Sequence, residues 1–144
     1  MSCNKKTSVT QTTNFNIYYR YQYTDKLNYY ETINTFDSSI TREYFASILK
    51  IDFTFSEKEK RDIYKHLIEN NFLLLPDTFF GINQEKLKKD ILTIEINGQK
   101  KTIIFNSPTL VLDSQDLLRY NRITKAIRNN IDSEYQALFY EPEY

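Results

Sequence analysis

The chain is predicted to be an α+β protein, an antiparallel sheet built from two hairpins with two helices packed on one face. Three observations predict this. Apolar and polar residues alternate with period two from Phe15 to Tyr23, and again on both sides of Asn97-Gly98. Two segments with helical spacing, one after Ser56 and one after Asp113-Ser114, each carry a single apolar stripe. The segment order β-β-(β)-α-β-β-α leaves each helix stripe and each hairpin face needing the other for burial. At 144 residues, 40% of them hydrophobic, the chain is long enough to hold one core.

Residues 4–14 hold one apolar side chain, Val9, and are expected to be a tether that joins no core. The expected organisation is a tether over 1–14 and a single α+β domain over 15–144. In the first strand Phe15, Ile17, Tyr19, Tyr21 and Tyr23 share one face, and Asn16, Tyr18, Arg20 and Gln22 the other. Thr24 to Asn28 reads as a polar turn, Tyr29 to Phe36 as β-favouring, and Asp37-Ser38-Ser39 as a break. Ile40 to Phe55 reads two ways. Thr41, Tyr44, Phe45, Ile48 and Leu49 fit a helix, while Ile51, Phe53 and Phe55 alternate; extended structure is the favoured reading.

Ser56-Glu57-Lys58-Glu59 is a capping box, in which hydroxyl and carboxylate each satisfy the other residue's amide. The stripe that follows is Ile63, Tyr64, Leu67, Ile68 and Phe72; Asn70-Asn71 ends the helix and Pro76 forbids its continuation. Residues 76–89 read as an irregular loop carrying Phe79-Phe80-Gly81. Asn97-Gly98 fits a two-residue type I′ turn, since both residues tolerate positive φ. That turn sets Ile96 opposite Gln99, Glu95 opposite Lys100, Ile94 opposite Lys101 and Leu92 opposite Ile103. Leu92, Ile94, Ile96, Ile103 and Phe105 then share the core face. Pro108 interrupts the chain, and Asp113 or Ser114 caps a last helix with stripe Leu117, Tyr120, Thr124, Ile127 and Ile131. Tyr135 to Tyr144, aromatic and acidic, is expected to drape over the domain.

Composition excludes much chemistry. Nineteen basic residues balance nineteen acidic ones, so the footprint of a general nucleic-acid binder is missing. One cysteine excludes an internal disulfide and a multi-cysteine metal site; one histidine excludes a histidine-rich one. His66 is expected to face water, away from the Tyr64–Leu67 stripe. Two glycines cannot build a phosphate cradle, and no nucleophile elbow is present. Glu57, Glu59 and Asp62 suit the first turn of a helix, as do Asp113 and Asp116; Asp113, Ser114 and Asp116 are too few for a calcium loop. No cofactor or metal is expected. The apolar run Phe72-Leu73-Leu74-Leu75 is too short to span a bilayer.

The lone cysteine sits in Ser2-Cys3-Asn4-Lys5-Lys6, which resembles the junction of a bacterial lipoprotein: a small residue, the cysteine that becomes diacylated, then a polar tether. Met1 is expected to stand where the hydrophobic part of such a signal was removed; if Met1 is the true start, the chain is expected in the cytoplasm. A second resemblance rests on Asn34 to Arg42, Phe55 to Tyr64, Asn71 to Pro76, the Asn97-Gly98 hairpin and Glu134-Tyr135. Over most of residues 15–140 the chain is similar to a family of small Gram-negative lipoproteins of unknown function, of hairpin-helix-hairpin-helix type. The resemblance implies a fold and a compartment, the periplasmic or outer-membrane face of the envelope, with membrane contact through a lipid at Cys3. It implies no catalytic residue.

Two surfaces are candidates for recognition. One is the outward face of the tyrosine-rich hairpin, with Tyr18, Arg20 and Tyr30, drawn from the cluster Tyr18, Tyr19, Tyr21, Tyr23, Tyr29 and Tyr30. The other is a basic ridge, Arg119, Arg122 and Lys125 with Arg128 beside them, suited to an acidic partner. The expectation is a non-enzymatic, lipid-anchored domain that binds a protein, in its most specific form an immunity-type inhibitor of a periplasmic toxin. The alternatives are an accessory structural subunit of an envelope complex and a hydrolase using a carboxylate pair or a tyrosine base.

Overall fold

The computed structural model describes residues 14–22, 29–44, 46–80, 89–106 and 114–131. In chain order these form β1 (Phe15–Gln22), β2 (Tyr29–Asn34), β3 (Ser39–Tyr44), β4 (Ser47–Asp52), α1 (Glu57–Glu69), a 3-10 turn (Phe72–Leu74), β5 (Thr78–Phe80), β6 (Asp90–Ile96), β7 (Gln99–Asn106) and α2 (Ser114–Asn129). The class is α+β, as expected. The seven strands make one sheet in the order β4-β3-β2-β1-β6-β7-β5, antiparallel at every pairing except β5 with β7.

The sheet is therefore not two hairpins. β1 to β4 form a four-stranded meander, the β6–β7 hairpin joins its β1 edge, and β5 adds a parallel strand. The meander settles the double reading of residues 40–55. Ile33 pairs with Ile40 and Ile40 with Ile51, an apolar row across three strands that a helix over these residues could not form. The turn before β3 holds Ser38 at φ +57, and the Thr35 amide, donating to the Ile17 carbonyl at 2.8 Å, carries the β1–β2 pairing one residue past β2. The expected loop over 76–89 is corrected at its start. The Ile104 amide donates to the Asp77 carbonyl at 2.8 Å, and Thr78–Phe80 runs beside β7, covering an edge that would otherwise present unpaired amides.

β1 lies in the middle of the sheet and alternates strictly, burying Phe15, Ile17, Tyr19 and Tyr21. Tyr19 sits between Ile33 of β2 and Leu92 of β6, and Leu92 pairs with Ile103 of β7. The β6–β7 register is the expected one residue for residue, with Asn97 at φ +50 and Gly98 at φ +80 as a type I′ turn requires. Ile63 and Leu67 of α1 and Tyr120, Ile123 and Ile127 of α2 join the same cluster of buried side chains. Each such aliphatic leaving water contributes about 1.5–3 kcal/mol.

α1 starts with the full capping box: the Glu59 amide donates to Ser56 Oγ at 3.1 Å and the Ser56 amide to Glu59 Oε1 at 2.7 Å. It ends where Asn71, at φ +49, turns the chain into the 3-10 segment that buries Phe72. Two stripe expectations need correction. Ile68 is exposed, and on α2 Ile123 and Ala126 are buried beside the expected Tyr120, Thr124 and Ile127. The Tyr120 ring stacks on Phe105 with centroids 5.2 Å apart, and lies the same distance from Phe79. Arg128 Nη1 donates to the Tyr19 hydroxyl at 2.9 Å. Cys3, the tether up to residue 13, Tyr23, the turn Thr24 to Asn28, Phe45, Gly81, Pro108, the Asp113 cap and the tail from Tyr135 lie outside the described residues.

Candidate binding surface

Strand alternation and register assemble the first candidate. Tyr18 and Arg20 are even-numbered in β1 and so point away from the buried row of Ile17, Tyr19 and Tyr21. Gln22 pairs with Tyr30, and Tyr30 with Glu43, which puts Tyr30 and Glu43 on that same face. Arg20 and Tyr30 are diagonal neighbours across β1 and β2, close enough for long side chains to meet. They do: the Arg20 guanidinium carbon lies 3.8 Å from the centre of the Tyr30 ring, while Nε donates to Glu43 Oε2 at 3.3 Å. Arg20 thus bridges three strands. Its side chain is 28% exposed and that of Glu43 31%, so a partner can still reach both.

Around this centre lie mostly polar residues, with Ile48 exposed beside Glu43. Tyr18 is half-buried between Asn34 and Thr93, and Thr93 shares a 2.8 Å hydroxyl contact with Thr102. Thr32 and Thr41 continue the row beside Arg20. The structure brings Tyr18, Arg20 and Tyr30 together as expected. It adds Glu43, which was missed because residues 40–55 carried two readings and had no face until β3 was placed.

The basic ridge does not survive as one feature. Steps of three residues turn a helix by about 300°, so four such positions fan out through half a circle. Arg119 is held by Asp116 at 3.2 Å. Arg128 swings to the opposite side and binds Tyr19, with its guanidinium 5.7 Å from the Tyr21 ring. Only Arg122 and Lys125 remain together. They line an open groove of about 490 Å³ between the helices, facing Asp62, His66 and Glu69 of α1. His66 is half-buried in this groove rather than in open water, its Nδ1 2.8 Å from the Asp62 carbonyl oxygen. The groove carries both signs of charge, so it offers an acidic partner less than the ridge was expected to.

A buried polar set was also missed. Glu31, on the core side of β2, accepts from Arg42 Nε at 2.7 Å and from the Tyr21 hydroxyl. Burial, and then the Glu31 charge, push the Tyr21 phenol far above its ordinary range. Burial does the same to Tyr19, against the lowering effect of Arg128, and to Tyr120, whose hydroxyl has no hydrogen-bond partner among the described residues. The signal was available: a core row containing tyrosine rather than phenylalanine needs partners for its hydroxyls. Among the described residues no three His, Cys, Asp or Glu side chains converge as a metal site would require, and no helix is long and apolar enough to cross a membrane.

Compared with models of known protein families and with curated proteins, the chain matches none.

Proposed function

We propose that this chain is a non-enzymatic, lipid-anchored domain of a Gram-negative envelope, similar to the small lipoproteins noted above, that binds a protein partner through the sheet face carrying Tyr18, Arg20 and Tyr30. An immunity-type inhibitor of a toxin delivered to the periplasm is the most specific form of the reading. The observation that supports it best is the Tyr30–Arg20–Glu43 cluster, a cation held over an aromatic ring and against a carboxylate. Aromatic and arginine side chains at the centre of a patch carry most of the energy of protein interfaces. Preassembly lowers the entropy lost on binding.

The reading includes both helices on the other face of the sheet. The Arg128–Tyr19 bond, the Tyr120–Phe105 stack and the single core that holds Ile63, Leu67 and Ile127 support that placement. It leaves the Arg20 face for the partner. Attachment at Cys3 rests on the sequence around it.

The test is a partner recovered from envelope extract and then titrated in purified form. Arg20→Glu with Tyr30→Ala, folded by circular dichroism, should weaken binding at least tenfold, and Arg119→Glu with Arg122→Glu far less. Equal binding by wild type and the Arg20/Tyr30 variant would reject this face. Turnover of an envelope substrate, lost on changing one carboxylate, would reject the non-enzymatic reading.

A further inference from the structure

The first strand begins at the end of the sheet where large apolar side chains are left outside. Phe15 pairs with Ile96. Ile96 lines a shallow apolar groove of about 180 Å³ with Leu67, Ile68, Phe72, Leu73 and Leu74. Ile68, Leu73 and Leu74 are all exposed, Leu74 by 82%. In the β2–β3 turn at the same end, Phe36 is exposed too, with the Lys100 ammonium 5.3 Å from its ring centre. Single exposed aliphatics are ordinary; several gathered around one groove mark a contact surface.

One peptide carbonyl within this patch, that of Leu73, is already satisfied. Lys101 Nζ donates to the Leu73 carbonyl at 3.1 Å and pairs with Asp77 at 3.2 Å. The 3-10 turn can therefore leave water without stranding that acceptor. Lys100, exposed beside Phe36, supplies a cation at the rim of these apolar side chains, as in an interfacial segment that sits at the headgroup level.

Chain connectivity selects the occupant. Residues 4–14 join Cys3 to Phe15, so a lipid on Cys3 attaches to the domain at this end. Even fully extended they reach roughly 40 Å, which keeps the patch at a high effective concentration near the bilayer. We propose that Leu73, Leu74, Ile68 and Phe36 form a bilayer-contacting end of the domain, acting as a second membrane signal beside the lipid and turning the rest of the sheet away from the surface. This rests on the reading that Cys3 is lipidated, and it orients the domain that reading anchors.

The chain holds one cysteine and no tryptophan, which makes the test direct. Full-length chain is coupled through Cys3 to a maleimide lipid in phosphatidylethanolamine–phosphatidylglycerol vesicles, which supplies the anchor chemically. Leu74→Trp provides the only indole. Its emission should shift to shorter wavelength on coupling and be quenched by brominated acyl chains. Ile48→Trp, exposed on β4 beside Glu43 and so at the far end of the sheet, should do neither. Leu73→Ser with Leu74→Ser should lower vesicle binding of the uncoupled chain roughly tenfold or more. Identical behaviour of the two indoles would overturn the proposal. So would emission from the Leu74→Trp variant that is already blue-shifted before vesicles are added and depends on protein concentration, since a second copy would then cover the patch. Palmitate labelling in cells, with Cys3→Ala as control, tests the anchor separately: its failure would reject acylation, and the vesicle result would still decide the face.

Discussion

On the two faces of the β1–β2–β3 meander the same three residue types meet. Among the core side chains, Arg42 and Tyr21 converge on Glu31; on the opposite face, Tyr30 and Glu43 converge on Arg20. The inner ion pair is 2.7 Å long with side chains 18% and 6% exposed, the outer one 3.3 Å with 28% and 31%. The geometry differs as well. Inside, the carboxylate is the hub and the tyrosine offers its hydroxyl; outside, the guanidinium is the hub and the tyrosine offers its ring face. Water decides what each set is worth. A buried carboxylate must keep its donors, because nothing replaces them, whereas a half-exposed pair trades its bonds with solvent at little cost. The inner set therefore holds the sheet together, and the outer set is free to exchange partners.

The largest expected effect comes from removing the inner hub. Glu31→Ala withdraws the carboxylate from a buried phenol and a mostly buried guanidinium, and should cost on the order of 3 kcal/mol. Urea unfolding measures it. A loss below about 1 kcal/mol would put the inner set on a par with a surface pair and break the contrast.

Alkaline titration sharpens the same contrast. Burial raises the phenols of Tyr19, Tyr21 and Tyr120 above their ordinary value of 10.0. The folded state then holds these protons more tightly than the unfolded chain. Their contribution to stability is complete below pH 10 and is lost as the pH rises beyond it. Phenolate absorbance should show a step that coincides with loss of far-ultraviolet dichroism. Complete titration of all tyrosines with the dichroism intact would show that the inner hydroxyls reach water.

The same division explains what was legible in the sequence. Local chemistry read correctly: Ser56 with Glu59 is a cap in any fold, and Asn97-Gly98 sets the β6–β7 register through its own backbone preferences. Alternation alone placed Tyr18 and Arg20 opposite Tyr19 and Tyr21. Elements decided by distant partners read only in part: the extended reading favoured for residues 40–55 holds over β3 and β4, but their faces and pairings were not legible locally. Ile40 is buried because Ile33 and Ile51 flank it, and Thr78–Phe80 is a strand because β7 has an edge to cover. The Arg20 cluster was half visible for the same reason. Tyr30 lies one hairpin away in sequence, but Glu43 enters only through a β2–β3 pairing that local spacing left open.

The smallest expected effect on stability is the most informative for function. Glu43→Ala removes the carboxylate from Arg20, which stays over the Tyr30 ring and gains water in exchange. The cost should lie between about 0 and 1 kcal/mol, as for other exposed ion pairs. Binding should respond differently, because a partner that displaces Glu43 from Arg20 has one competitor fewer, whereas a partner that uses the assembled Tyr30–Arg20–Glu43 set loses an acceptor. Titration of the recovered partner with Glu43→Ala beside Arg20→Ala separates these cases. If Arg20 is the contact, its removal should weaken binding at least tenfold while Glu43→Ala leaves it equal or tighter. If the assembled set is the contact, both should weaken it. Unchanged binding in both variants would place the interface away from this cluster, leaving Arg20 and Glu43 as a surface pair of the kind the inner set is not.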